Sequence, residues 1–155
     1  MSAEARLAQL GHVLPTPSTP PPTRAAAVLT GTLLYTSGHG PVARPDGTRL
    51  QGKVGSDLTV EEGYQAARET ALLLLAVIRN ALGSLDRVTK VVKVLGMVNV
   101  APGMNQTPRV MDGFSDVFVE VFGLEVGRHA RSAVGVAELP LDFPVEIEVI
   151  CEVRD

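Results

Sequence analysis

The sequence predicts an α+β fold: one mixed β-sheet with two helices packed on the same face. Three observations lead there. Thr59-Val60-Glu61-Glu62 is a capping box. Behind it Val60, Tyr64, Ala67, Ala71, Leu74, Leu75, Ile78 and Leu82 recur at helical spacing as far as Gly83. Short β-branched or apolar runs flank this helix and a second one, in the order β-β-(turn or strand)-α-β-α-β-β. Each helix joins strands and carries one apolar stripe, so one sheet with both helices on one face is the economical architecture.

The elements follow in order. Ala3 to Leu10 has Leu7 and Leu10 on one side of a short helix, and Gly11 suits its stop. Leu14 to Pro22 holds five prolines and must be extended. Ala25–Leu29 and Leu33–Ser37, separated by Thr30-Gly31-Thr32, read as a β-hairpin. Arg44-Pro45-Asp46-Gly47-Thr48 is a turn. Val88 to Val100 is a strand closed by Pro102 and Gly103. Pro108 to Phe122 is the second long helix, with Val110, Met111, Phe114, Val117, Phe118 and Val121 as its buried stripe. Ser132–Glu138 and Val145–Val153 are the last strands. The sheet face away from the helices needs a cover, and its residues read as apolar or small. Oligomerisation through the sheet is the simplest solution.

A chain of 155 residues suffices for one domain with a real core. We take 1–155 as that domain, with 1–24 as an N-terminal helix and proline-rich extension. The net charge of −3 gives no global field for nucleic acid. The absence of Trp leaves few stacking platforms for single strands. The longest apolar run, Ala71 to Ile78, falls far short of the ~20 residues that span a bilayer. Charges interrupt the apolar positions of the first residues, which speaks against a signal peptide. The lone Cys151 cannot form an internal disulfide. These features together read as a cytoplasmic protein. Three scattered histidines and one cysteine show no metal-ligand spacing. No P-loop or dinucleotide fingerprint occurs, and no Ser–His–Asp arrangement is evident, so nothing implies a cofactor.

The chemistry-bearing pattern lies in the last quarter: His129-Ala130-Arg131-Ser132, then Leu139-Pro140, then Val145-Glu146-Ile147-Glu148-Val149. A cation and a carboxylate set in otherwise apolar strands are costly to bury unless paired. With Thr36-Ser37-Gly38, this pattern resembles the RidA/YjgF family, also called endoribonuclease L-PSP-like. The likeness runs from about Leu14 to the C-terminus. Gly123, Gly127, His129 and Ala133-Val134-Gly135-Val136 resemble a longer branch of that family.

The resemblance implies a chorismate-mutase-like fold and a homotrimer with clefts between subunits. It also implies cofactor-free hydrolysis of reactive enamines and imines to 2-oxo acids and ammonia. By the same resemblance Arg131 binds the substrate carboxylate, Glu146 orients or activates water, and Ser37 and His39 line the cleft. Ala133 contributes mainly backbone there. Two departures stand out: Arg24 occupies the place of the family's cleft tyrosine, and His39 that of a common glutamine. The missing tyrosine favours a rival reading, a non-catalytic binding protein for 2-oxo acids or amino acids. Endoribonuclease is the weakest of the three readings.

A geometric constraint follows from the residues alone. If the last two strands formed a tight hairpin, Arg131 and Glu146 would lie ~20 Å apart at ~3.3 Å per residue. One shared site therefore requires an intervening strand or two subunits.

Overall fold

The long helix after the capping box is the backbone of the fold. In the computed structural model, which describes residues 1–154, it spans Val60–Leu82 (α2). Thr59 Oγ1 accepts from the Glu62 N–H at 3.1 Å, and Glu62 accepts in return from the Thr59 N–H at 2.8 Å. Gly83 ends the helix with φ 82°, a left-handed conformation that a Cβ disfavours. Ahead of it lie a short helix, Ala3–Gln9 (α1), and a hairpin of Ala27–Thr30 (β1) and Leu33–Thr36 (β2). After it come Val88–Asn99 (β3), Thr107–Gly127 (α3), Ala130–Val136 (β4) and Val145–Val153 (β5).

The expected order of long elements is the one observed, with boundaries shifted by a few residues. Within α3, Gly123 leaves helical geometry (φ 79°, ψ 163°), just after Phe122, where the apolar stripe predicts the end. One further turn continues to Gly127. β4 begins two residues earlier than expected, which places Arg131 inside the strand.

The sheet order is β1-β2-β5-β3-β4, with β3 and β4 parallel and every other pair antiparallel. β3 therefore lies between the last two strands, and β4 and β5 are not a hairpin. Val94 faces Arg131 on one side and Val149 on the other; Met97 faces Val134 and Glu146.

The ladder also sorts the two faces. Val145, Ile147, Val149, Cys151 and Val153 of β5 are buried with Val91, Val94 and Val98 of β3 under α2 and α3. Phe114 and Phe118 stack there with centroids 4.1 Å apart, beside Leu74, Leu75 and Ile78. Burial alone drives the Cys151 thiol up to about 12, so it stays protonated.

The opposite face carries Glu146, Glu148, Ile150 and Glu152 of β5, with Lys93, Leu95 and Met97 of β3. Val28, Tyr35 and Val134 are exposed on it. This face is more charged than the sequence suggests, because alternation along β5 directs its glutamates outward. The N-terminal segment packs back on the domain. Leu7 is buried, and Glu4 accepts from Arg79 and from the Leu85 N–H. Among the described residues, no helix is long and apolar enough to cross a membrane.

Candidate functional site

Beyond β2 the chain continues along β5 as Ser37-Gly38-His39-Gly40. The His39 N–H donates to the Ile147 carbonyl at 3.1 Å, and the Ile147 N–H donates back at 2.9 Å. This bridge sets His39 beside Glu146. Gly38 lies directly against the carboxylate: a Cβ added there would meet Glu146 Oε1 and force that side chain to move. The glycine brings backbone against the carboxylate. Ser37 Oγ donates to the Ala25 carbonyl at 2.6 Å and keeps its lone pairs as acceptors. His39 Nδ1 donates to the Ser37 carbonyl at 2.7 Å, which in the neutral ring leaves Nε2 as a free acceptor.

These residues line a cavity of about 450 Å³. Arg24, Arg49 and Phe143 complete its polar and aromatic wall, and Thr16 and Ser18 of the extended proline-rich segment close one side. Arg49 lies 5.3 Å over the Phe143 ring centroid, a cation–π distance. Its Nε is buried without a hydrogen-bond partner. Burial, then the Glu148 charge, raises the Glu146 pKa; His39 and Arg24 oppose that rise. A carboxyl group so placed holds its proton at higher pH than a free glutamate and can both accept and deliver one. A neighbouring hollow of about 310 Å³, beside Pro17, Val77 and Ala81, is lined by no titratable side chain.

Arg131 lies elsewhere. Its side chain points to α3, where Nη1 donates to Asp112 Oδ1 and to Ser115 Oγ at 3.0 Å each, and Nη2 donates to the Pro108 carbonyl at 3.3 Å. Ser115 in turn donates to His129 Nε2 at 3.0 Å, while His129 Nδ1 donates to the Gly127 carbonyl at 2.6 Å. Burial lowers the His129 pKa, helped by Arg131 and Lys90, so this imidazole is neutral at pH 7. Ala133 shares the helix-side face with Arg131, and its carbonyl accepts from Thr107 Oγ1 at 2.9 Å.

The expected site residues thus fall into two groups. Ser37, His39 and Glu146 meet in one cavity; Arg131 and Ala133 sit at the β4 edge against α3. Two strand spacings and three residues separate Arg131 from Glu146, roughly 14 Å, and their side chains leave opposite faces of the sheet. Sequence reading did not single out Arg49, Phe143 or the Ser115–His129 pair. Arg24 carried a signal, as the residue in place of the family tyrosine.

A family model described as "YjgF/chorismate_mutase-like, putative endoribonuclease" matches residues 4–153. The chain belongs to this family. Protein TCP17 of Trypanosoma cruzi is 42% identical over 151 residues, which cover 97% of this chain and 94% of that protein. A crystal structure from Shewanella oneidensis MR-1, described as "a putative endoribonuclease", superposes with TM-score 0.90 at 32% identity and covers 99% of this chain and all of the other. YyfA of Yersinia pestis, of the conserved Rid family, superposes with TM-score 0.61 at 27% identity, covering 89% and 93%. The family likeness read from Thr36-Ser37-Gly38, Arg131 and Glu146 is the one these matches show, and the chorismate-mutase-like α+β fold with it.

Proposed function

We propose that the Glu146 cavity hydrolyses small imino or enamino acids to 2-oxo acids and ammonia without a cofactor. The observation that carries this reading is Glu146 itself. It is a half-buried carboxyl group with a raised pKa, fitted against Gly38 between Ser37 and His39 in a cavity of about 450 Å³. A substrate of a few carbons fits that volume.

The chemistry needs little else. Glu146 as carboxylate takes a proton from water as the oxygen attacks the C=N carbon. The proton passes to nitrogen; the hydroxyl then gives its proton through Glu146 to the same nitrogen as the C–N bond breaks, so both protons of the water leave on ammonia. An enamino acid first takes a proton at its β-carbon from protonated Glu146 and gives up an N–H proton, which makes it the imine. Water is consumed, one 2-oxo acid and one ammonia leave, and no electron acceptor is required. The raised pKa brings Glu146 nearer the working pH, which favours transfer in both directions. The Ser37 lone pairs and His39 Nε2 can hold the water or the developing hydroxyl.

Arg131 has the planar fork that suits a carboxylate. Within one chain it faces away from Glu146, so it reaches the cavity only from a second copy. The proposed enzyme is therefore a homotrimer in which Arg131 and the Ala133 backbone of one copy complete the Glu146 cavity of the next. An alternative, a binding protein for 2-oxo acids or amino acids, is favoured by one observation: an arginine, Arg24, fills the place of the family tyrosine. Purified protein incubated with imines of several amino acids decides between them. Accelerated release of 2-oxo acid supports the hydrolase; binding of 2-oxo acids without any turnover supports the alternative. The family description includes endoribonuclease, and RNA cleavage under strict nuclease controls tests that activity directly.

A further inference from the structure

We infer that Arg24 and Arg49 form a second anion-binding subsite in the Glu146 cavity, which selects substrates carrying a further carboxylate: dicarboxylic imino and oxo acids. This deepens the hydrolase reading and rests on it.

The charge arrangement leads to it. Arg44, Arg68, Arg79 and Arg131 are each ion-paired, with Glu69, Glu120, Glu4 and Asp112. Among the described residues, Arg24 and Arg49, like Arg6, Arg87 and Arg128, have no carboxylate within ion-pair distance, and what sets these two apart is that both line the Glu146 cavity. The only carboxylate in that wall is Glu146, which leaves two positive charges against at most one negative.

Arg49 is the better placed of the two. Its Nε is buried and makes no hydrogen bond, and an unpaired buried donor is destabilising until something accepts from it. Its guanidinium is held over Phe143, and the Phe143 ring packs so close to Gly40 that no Cβ would fit there. An arginine fixed in this way has lost much of its rotamer freedom before a ligand arrives, which lowers the cost of binding. Two guanidinium groups in one wall suit a carboxylate better than a methyl group. The cavity volume of about 450 Å³ accommodates a five-carbon chain. In the proposed assembly Arg131 of a second copy holds the carboxylate next to the reacting carbon, so the Arg24–Arg49 pair is free for the far end of the molecule.

The matched ligands 2-oxoglutarate and 2-oxovalerate have the same chain length and differ in a terminal carboxylate against a terminal methyl. Titration calorimetry on the full chain is expected to show 2-oxoglutarate binding at least tenfold tighter. Arg49→Gln should bring that ratio below threefold, and Arg49→Lys, which keeps the charge without the fork, should fall between. If Arg49→Gln does not fold, Arg24→Gln reads the same ratio. Equal or tighter binding of 2-oxovalerate to the wild type overturns the subsite and leaves the hydrolase reading standing. A ratio unchanged in both glutamine variants also overturns it. Tighter binding of 3-phosphohydroxypyruvate than of 2-oxoglutarate overturns the carboxylate assignment in favour of a phosphate. Failure of all three ligands to bind at millimolar concentration removes the subsite and the small-acid reading together.

Discussion

At Glu146, desolvation and proton affinity are coupled, and that coupling is measurable without any substrate. Burial raises its pKa above the usual 4.5. The stability this group contributes is complete below its unfolded value and is lost as pH rises through the folded one. Glu146→Gln should therefore match the wild type in melting temperature near pH 4 and exceed it increasingly toward pH 7. Calorimetry across that range checks the sign, and a gap that shrinks with pH would contradict it. Arg131 invites a different test. Arg131→Lys keeps the charge and loses the fork, so carboxylate affinity should drop by more than tenfold, about 1.4 kcal/mol or more. The lost bonds to Ser115 and Pro108 should cost stability only on the order of 1 kcal/mol. A variant that unfolds while affinity per folded molecule is unchanged would make Arg131 a strut between β4 and α3 and nothing more.

Among the elements, legibility followed local signals. α2 was readable because its start, stripe and stop are each written in neighbouring residues: Thr59 and Glu62, the Ala71–Leu74–Ile78 face, and Gly83. Thr59→Ala removes one half of the box and should destabilise the protein by ~1 kcal/mol in urea denaturation. The sheet edge near the cavity was readable only in part. Thr36-Ser37-Gly38 marks a strand end, but nothing local tells that Gly38 lies against the Glu146 carboxylate. Arg49 and Phe143 escaped because they lie outside the regular elements, where no period links them; only the folded chain stacks one on the other. The Ser115–His129 contact joins the middle of α3 to a residue two positions past its end, and Gly123 breaks the helix between them. Helical spacing could not pair them.

For the molecule as a whole, strand order mattered most and was least visible. A short link between β4 and β5 suggests a hairpin, yet β3 inserts between them. That insertion is the parallel β3–α3–β4 crossover, a long-range arrangement that no single segment encodes. It shortens the Arg131–Glu146 separation from ~20 Å to roughly 14 Å and still leaves the pair on opposite faces. A shared site then depends on assembly. Light scattering at micromolar concentration should give a trimer, and the charged residues on the open face, Lys93, Glu148 and Glu152, should make its dissociation sensitive to salt. A stable monomer would dissolve the two-copy site.

Imine turnover by the wild type and Glu146→Gln, measured side by side on folded preparations, tests the role of Glu146 most directly. Wild-type protein should accelerate formation of 2-oxo acid from freshly generated imines. The variant should be slower by a factor on the order of 10² to 10⁴ while still binding 2-oxo acids. Equal rates in the two proteins, or no acceleration by the wild type with any imine, would contradict the assignment of Glu146 as the group that works on water.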